Sequence, residues 1–598
     1  MHVKKNQIYL CVFIFSPIFA ADNETCDYMK KLLLSAITLF VMCLAVMAVP
    51  AKKGVYKTLK LGNGQEIRAM LVGDEHGHYW KGSDGKAYVL KGETYQVVDE
   101  KPIIEKARAR RTKVNAQRVR RLSRSRGFAE PKDYFGKYRC VIILVNFADM
   151  TFQEANDNAL FSRIVNEENF SEGYFVGSMA DYFKAQSCGL FELDFDVVGP
   201  VTVSKDYSHY GVNDSIGNDL HAGEMVIEAL NQVKDQVTDW HQYDWDGDGL
   251  VDQVYLIYAG KGEADGGAED TIWPHAYELE GAKEDGDGTG AVEVDSALFV
   301  NSYACGSELD GLGRICGIGT MCHEFSHCLG YPDFYDIDYS GGLGMDSWDL
   351  MSSGSYNGDG YCPAGYTAYE RWFAGWKEPI VLEANDTTIT DMESLQEGGD
   401  SYIIYNKGSR NEYFILENRQ LVNWDARLPG KGLLMIHVDY DMAAWAANGP
   451  NDDPEHQRMA WIPADGKYQR VLIDSVYYTT WSGKSRDPFP LDTVSAFNKN
   501  FKIDDEWVAN VVKLYNQNTD GTYDVDWSVE NITQNADGSI SFNFVAAYQD
   551  PTGIKGIATR KEDDKWYDLQ GRQLNGKPSG KGIYINNGRK QKMAGIAY

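Results

Sequence analysis

The sequence predicts a multidomain α+β protein, with a β-rich N-terminal unit, an α/β domain in the middle of the chain, and a C-terminal β-sandwich region. Its 598 residues are too many for one hydrophobic core and favour three or four units. Short apolar segments bounded by turn residues lie towards both ends, whereas strand-like and helix-like segments alternate in the middle. The middle part also contains the string HEFSHCLGYPD at residues 323–333.

The overall composition narrows the range of partners. A formal net charge of -29 argues against a nucleic-acid-binding protein and suits a soluble exported protein. Aromatic residues make up 13% of the chain, including 37 tyrosines, which favours β-rich extracellular units over a helical bundle.

Residues 29–50 have the layout of a secretory signal peptide. Two lysines follow Met29, an apolar run extends to Val49, and small residues lie near its end at Ala48 and Ala51. We therefore expect a secreted or cell-surface protein with no stable membrane insertion after signal removal. Residues 1–28 are interpreted as a misread start, but their own apolar stretch leaves a double signal or a short membrane anchor as alternatives.

Residues 51–131 are predicted to form a propeptide. Alternating segments at 86–90 and 95–98 indicate short strands. A basic run from Lys106 to Arg126 follows, and by itself it is also compatible with a solvated helix or a patch for an anionic polymer. Its position before the next unit favours an exposed linker that an arginine-directed protease cuts, so that the protein is made as a zymogen.

The α/β unit is placed at residues 132–378. Residues 140–147 and 253–258 are apolar and suited to buried strands, and 179–187 favours a helix. A further helix is predicted from about Ile315 to Leu329.

This last helix carries the predicted metal site. Positions i and i+4 share one helix face, so His323 and His327 can bind one ion, and Glu324 lies beside them without being a ligand. Gly330 allows a sharp turn that brings Asp333 back as a third ligand. Three protein ligands and an open position are typical of catalytic zinc. Solvated His and Glu on an amphipathic helix are the alternative, and nearby Asp336 competes with Asp333 as the third ligand.

Several segments together resemble the M6 family of secreted metalloproteases, the immune inhibitor A group. They are residues 140–147, 177–183, 244–252, 323–333, 348–354, 416–420 and 432–440. The resemblance implies a metzincin-like α/β catalytic domain with a zinc helix, in which Met351 forms a Met turn beneath the zinc. Metzincins more often use histidine as the third ligand, whereas this chain has Asp333, whose carboxylate oxygen is also an acceptable zinc ligand.

These residues predict a zinc metalloendopeptidase that hydrolyses extracellular proteins. Glu324 is the expected general base, taking a proton from water and passing it to the leaving amine. Tyr356 is a candidate oxyanion stabiliser, with an ordinary packing role as the alternative. A catalytically silent surface adhesin and a hydrolase of glycans are the competing functions.

An acidic loop precedes the strand at 253–258. The carboxylates of Asp244, Asp246, Asp248 and Asp252 occupy positions 1, 3, 5 and 9 of an EF-hand-like pattern, which predicts a calcium site. Position 12 is Tyr255, so the usual glutamate is missing and a plain acidic turn is the alternative.

The remaining predictions concern the cysteines and the C-terminal part. Seven cysteines follow the signal peptide, and Cys305 and Cys316 are candidates for a disulfide. Short strands between Gly, Asn and Asp turns predict the β-sandwich region at 379–548. Residues 549–598 resemble a sorting tail of the type IX kind, with a terminal β-hairpin as the alternative.

Overall fold

The computed structural model describes residues 49–109, 134–337, 341–468, 470–473, 476–479, 481–503 and 512–546, with four short strands between 566 and 593. The predicted misread start, the signal peptide up to residue 48, the basic run from residue 110 onwards and most of the tail lie outside the described residues. Among the helices of the described part, none has the length and apolar character needed to cross a bilayer.

The N-terminal unit is an antiparallel meander. Its strands are β1 (Tyr56–Lys60), β2 (Glu66–Asp74), β3 (Gly77–Gly82), β4 (Ala87–Lys91) and β5 (Thr94–Val98), paired in that order. Residues 101–109 follow as a helix, α1. The two predicted strands correspond to β4 and β5, and three more precede them.

The central sheet lies in the middle of the chain. The strands of this region are β6 (Gly136–Asn146), β7 (Phe191–Thr202), β8 (Val254–Lys261), β9 (His275–Glu278), β10 (Val292–Asp295), β11 (Leu298–Val300) and β12 (Ser302–Leu309). The sheet order is β7-β6-β8-β12-β9, with β9 antiparallel at the edge and the other neighbours parallel, while β10 and β11 form a separate hairpin.

Helices cover both faces of this sheet. They are α2 (Asn158–Asn166), α3 (Met179–Gln186), α4 (Tyr207–Tyr210), α5 (Ala222–Val233), α6 (Leu279–Asp285), α7 (Gly319–Cys328) and α8 (Ala368–Phe373). Alternate residues of β6 enter different cores: Ile142 packs with residues of α2, α3 and α7, whereas Val141 and Ile143 pack with residues of α5. Both faces of β6 are therefore buried, which explains its continuous apolar sequence.

Two larger sheets and one two-stranded sheet lie between residues 380 and 546 of the described part of the chain. Their strands are β13 (Ile380–Val381), β14 (Thr387–Met392), β15 (Tyr402–Asn406), β16 (Ser409–Arg419), β17 (Gly432–Asp439), β18 (Met459–Trp461), β19 (Arg470–Ile473), β20 (Val476–Thr479), β21 (Trp527–Gln534) and β22 (Ile540–Ala546), with short helices α9 (Met442–Ala446) and α10 (Trp481–Lys484). One sheet has the order β13-β15-β16-β17-β18 and the other β14-β22-β21, while β19 and β20 pair separately. Phe414 on the first sheet contacts Trp527 on the second, with ring centroids 5.0 Å apart.

The hydrophobic core continues across residue 378. A single cluster of buried side chains extends from Cys140 in the central sheet to Ala546 in β22. Buried Arg419 on β16 also joins the two sides of this boundary, because its guanidinium donates to the carbonyl oxygens of Trp348 and Gly365, each at 3.1 Å. The predicted division into residues 132–378 and 379–548 therefore does not separate two cores.

The C-terminal strands are β23 (Trp566–Tyr567), β24 (Gln573–Leu574), β25 (Gly582–Asn586) and β26 (Arg589–Met593), in the order β24-β23-β25-β26. The hairpin of β25 and β26 is thus part of a four-stranded sheet. The predicted disulfide is absent, since Cys305 and Cys316 are both free thiols.

Candidate metal centre and cleft

Helix α7 presents two buried histidines. It begins four residues after the predicted start, at Gly319, where an added Cβ would lie 1.9 Å from the carbonyl oxygen of Ser355. This close approach places the helix against the 3₁₀ segment Ser353–Gly360. After α7, Gly330 adopts a φ of 103°, so the chain makes the sharp turn expected of a glycine.

The backbone fixes the orientation of both imidazole rings. His323 donates from Nδ1 to the carbonyl oxygen of Leu350 at 2.8 Å, and His327 donates from Nδ1 to that of Tyr331 at 3.0 Å. A carbonyl oxygen only accepts, so the hydrogen of each neutral ring resides on Nδ1 and Nε2 carries a lone pair. The two Nε2 atoms lie 3.1 and 3.7 Å from Asp333 Oδ1.

This arrangement fits a bound cation. The ligand atoms of the three side chains lie within 4.8 Å of one another, and all three residues are buried. Among the described residues, neither His323 Nε2 nor Asp333 Oδ1 has a hydrogen-bond partner. Buried lone pairs that face one another are unfavourable unless a positive centre lies between them. Two imidazole nitrogens and one carboxylate oxygen form a donor set suited to zinc.

Asn448, from the region beyond residue 378, holds Asp333 in place. Its Nδ2 donates to Asp333 Oδ2 at 2.6 Å, and its Oδ1 accepts from the Asp333 backbone N–H at 2.7 Å. The other candidate ligand, Asp336, instead accepts from the backbone N–H groups of Gly341 and Gly342 through Oδ2, at 2.8 and 2.9 Å. The geometry therefore favours Asp333 over Asp336 as the third ligand.

The Met turn, which contains Met351, connects helix α7 with the segment that carries Asp333. Met351 is fully buried, its N–H donates to Asp349 Oδ1 at 2.6 Å, and its carbonyl oxygen accepts from the N–H of Phe334 at 2.7 Å. Burial raises the pKa of Asp349 to about 7. The turn is thus bonded both to His323, through Leu350, and to the residue that follows Asp333.

Glu324 is buried next to the histidines. Burial raises the pKa of its carboxyl well above the usual range, and the negative charges of Glu75 and Asp333 raise it further. Its Oε1 accepts from the backbone N–H of Val49 at 2.8 Å, a hydrogen bond that partly opposes this rise of the pKa. A carboxylate in such surroundings is suited to taking up a proton.

Residues 49–53, which we call the cleft segment, lie in this site. Besides the contact with Glu324, the Val49 carbonyl oxygen accepts from Trp273 Nε1 at 3.1 Å. The next carbonyl oxygen, that of Pro50, accepts from the Tyr356 hydroxyl at 2.9 Å. Val49 is fully buried. The proposed base and the proposed oxyanion donor therefore both bind this part of the backbone.

The two lysines of the cleft segment form ion pairs with residues of the α/β unit. Lys52 Nζ lies 2.8 Å from Asp265 Oδ1, and Lys53 Nζ lies 2.8 Å from the buried Asp346 Oδ1. The cleft segment is thus held by two ion pairs as well as by its backbone hydrogen bonds.

The meander itself also contacts the α/β unit. His78 on β3 lies 3.0 Å from Glu263 and stacks on Trp273, with ring centroids 4.6 Å apart. Burial lowers the pKa of His78, but the charge of Glu263 and its hydrogen bond outweigh this effect and raise it to about 9. This contact supports the meander beside the cleft.

The acidic loop brings three of its four predicted ligands together. Asp244, Asp246 and Asp248 have carboxylate oxygens within 4.8 Å of one another. Asp252 Oδ2 instead accepts from the backbone N–H of Trp245 at 2.5 Å, and Tyr255 is buried in β8. The loop therefore offers three grouped carboxylates.

A comparison with known protein families matches the part of the chain that contains the two histidines and Asp333. Residues 137–377 match the family described as "Immune inhibitor A peptidase M6, catalytic domain". By this match, residues 137–377 form an M6 peptidase catalytic domain. The M6 segment contains both histidines, Glu324, Asp333 and Tyr356, and the protein therefore carries a metallopeptidase domain. Asn448 and the cleft segment lie outside it.

Two curated relatives are similar to part of this chain. The chain is 27% identical over 312 residues to Immune inhibitor A of Bacillus thuringiensis subsp. alesti, covering 45% of this chain and 44% of that protein. It is 29% identical over 235 residues to Pre-pro-metalloprotease PrtV of Vibrio cholerae serotype O1 (strain M66-2), covering 35% of this chain and 24% of that protein. The chain thus spans less than half the length of either relative.

Proposed function

We propose that the protein is a secreted zinc-dependent endopeptidase that is made as a zymogen and hydrolyses peptide bonds in extracellular proteins. The observation that carries this proposal is the buried convergence of His323, His327 and Asp333 beside Glu324. Export rests on the signal-like residues 29–50, and cleavage after Ala48, one of the small residues near their end, would leave Val49 and Pro50 of the cleft segment on the exported chain.

His323, His327 and Asp333 would hold the zinc, and Asn448 and the carbonyl oxygens of Leu350 and Tyr331 would orient these ligands. Bound zinc would supply Lewis-acid chemistry, polarising a carbonyl oxygen and making a water molecule more acidic. Glu324 would accept the proton from that water. Because its Oε1 already binds an amide N–H, that of Val49, it also lies where it can return the proton to a leaving amine.

Tyr356 would stabilise the oxyanion, since its hydroxyl donates to a peptide carbonyl oxygen in the cleft. We expect Tyr356→Phe to lower kcat of the activated protein by about 10²-fold, because it removes one donor while keeping the ring. Casein cleavage measures this effect, with Tyr523→Phe, an exposed tyrosine, as the control. An unchanged kcat would assign Tyr356 to packing only.

Asn448 is proposed to position the third ligand. We expect Asn448→Ala to weaken zinc binding by about 10- to 100-fold, because Asp333 loses two hydrogen bonds. Competition with a chromogenic chelator measures the affinity. Asn231→Ala, on the exposed face of α5, should leave it unchanged. Equal affinities in the two variants would contradict the positioning role.

The cleft segment supports the zymogen proposal. It occupies the backbone-binding groups of Glu324 and Tyr356, so an extended substrate cannot use them at the same time. A protease that cuts the basic run between Lys106 and Arg126 would separate the meander from the α/β unit in sequence and allow the segment to leave. Such a protease is the proposed activating partner.

The acidic loop is proposed to bind calcium through Asp244, Asp246 and Asp248. Asp252 would be excluded unless its contact with Trp245 were broken. Oxygen ligands of this kind suit calcium, whereas the catalytic donor set does not, so the two ions would occupy separate sites.

The proposed function is tested by casein digestion with trypsin-treated protein. Removing the metal with a chelator should abolish cleavage, because Glu324 alone does not activate water sufficiently, and added zinc should restore it. Cleavage that persists without metal would refute a zinc mechanism. Bound zinc without any cleavage of protein substrates would favour the silent adhesin instead.

A further inference from the structure

A second group of metal-ligating side chains lies outside the cleft. His209 is on α4, His221 precedes α5, and Glu224 is in the first turn of α5. Their ligand atoms lie within 4.8 Å of one another, like those of the catalytic group. His209 Nε2 is 3.1 Å from Glu224 Oε2, and His221 Nδ1 is 3.5 Å from Glu224 Oε1. Two ligand atoms of tetrahedral zinc are about 3.3 Å apart, which lies between these distances.

We propose that His209, His221 and Glu224 form a second transition-metal site that fixes the ends of the loop at residues 211–220. Two imidazole nitrogens and one carboxylate oxygen favour zinc, cobalt, nickel or copper over calcium and magnesium. His221 Nδ1 is a buried atom without a hydrogen-bond partner among the described residues. The ion would give this nitrogen a ligand bond.

The surroundings are compatible with a cation. The side chains of the three residues are between 31% and 41% exposed, so an ion and a water ligand can reach them. The positive end of α5 would oppose a cation, but Asp287 accepts from the N–H groups of Gly223 and Glu224 at 2.6 and 2.9 Å and neutralises that end. The two histidine rings stack in parallel at 4.5 Å, so one ring must rotate out of the stack for both nitrogens to bind one ion.

The loop between the two histidines contacts the meander at His78, and it also contacts Glu263 and Trp273, the two α/β residues that pair with and stack on His78. The Ile216 carbonyl oxygen accepts from the N–H of His78 at 3.0 Å, and Asn213 Nδ2 donates to Glu263 Oε2 at 2.9 Å. Near its end, Asp219 accepts from the N–H of Trp273 at 2.9 Å. An ion that joins His209 to His221 closes this loop and reduces the freedom it would otherwise regain when the meander leaves.

Metal counting tests the proposal on the full chain carrying Glu324→Gln, a substitution that prevents self-digestion. After dialysis with zinc and excess calcium, elemental analysis should find about two zinc ions per chain. The double variant His209→Ala/His221→Ala should retain about one. Glu228→Gln is the matched control, because this carboxylate on α5 binds Tyr210 and lies outside the group, and it should retain both ions. An unchanged zinc count in the double variant would overturn the site.

Two further measurements keep the test decisive. If the double variant does not fold, Glu224→Gln replaces the carboxylate ligand at constant volume. It should lower the zinc affinity of the proposed second site by at least about tenfold. Zinc should also slow proteolytic cutting within residues 211–220 in the parent and not in the variants, and equal cutting in both would refute the loop-fixing role. Neither readout depends on casein cleavage, so failure of the proposed function would leave the result interpretable.

Discussion

Replacing Glu324 with Gln is expected to lower kcat of the activated protein by about 10³-fold while zinc remains bound. The amide keeps the shape of the side chain but has no basic oxygen with which to take a proton from water. It also cannot pass a proton to the leaving amine, so both halves of the reaction lose their acid–base group. The zinc ligands are unchanged, because Glu324 is not one of the three groups that converge in the site.

Casein cleavage and elemental analysis on the same preparations check this expectation. Glu167→Gln, an exposed change with the same loss of charge, is the control and should behave like the parent. Wild-type turnover in Glu324→Gln would refute the base assignment. Loss of zinc together with activity would instead assign Glu324 to the integrity of the site.

Cutting the chain in the basic run is expected to raise casein cleavage by at least about 10²-fold. In the uncut chain the cleft segment competes as an intramolecular ligand, whose effective concentration is in the millimolar range and exceeds that of an ordinary substrate. Its backbone binds Glu324 and Tyr356, and its two lysines pair with Asp265 and Asp346. Substrate enters only when these contacts are released together.

Timed trypsin treatment with sequencing of the new N-terminus tests the activation step, and a cut far from residues 106–139 would refute the linker. In the uncut chain, Lys52→Ala/Lys53→Ala should increase residual cleavage, because it removes both ion pairs of the cleft segment. Lys57→Ala is the matched control, since Lys57 also forms an ion pair, with Glu269, but lies on β1 outside the cleft segment. Equal residual activity in the two variants would show that the lysines do not contribute to latency.

Local sequence was sufficient to predict the parts of the site that lie close together in the chain. His323 and His327 are one helical turn apart, and Gly330 provides the turn to Asp333, so periodicity and glycine chemistry determine their arrangement. The strand β6 was predictable for a similar reason, because burial on both faces produces a continuous apolar run.

The remaining parts depend on contacts between distant positions. Asn448 is 115 positions from Asp333, and Val49 is 275 positions from Glu324. Neither residue has a local pattern that indicates its partner, since asparagine is common in turns and Val49 reads as the end of an apolar run. The disulfide prediction failed because spacing alone does not define the distance between two sulfur atoms.

Because one hydrophobic core extends from Cys140 to Ala546, the stability of the cleft is linked to the stability of the sheets beyond residue 378. An ion that binds only the native state stabilises every element that must be folded for binding, wherever it lies. Asn448 and Arg419 connect the region beyond residue 378 to the metal site and to the Met turn, so this region must be folded for zinc to bind. Zinc on α7 should therefore slow amide hydrogen exchange in β16 and β17. A fragment ending at residue 377 would lose this linkage, together with the asparagine that orients its third ligand.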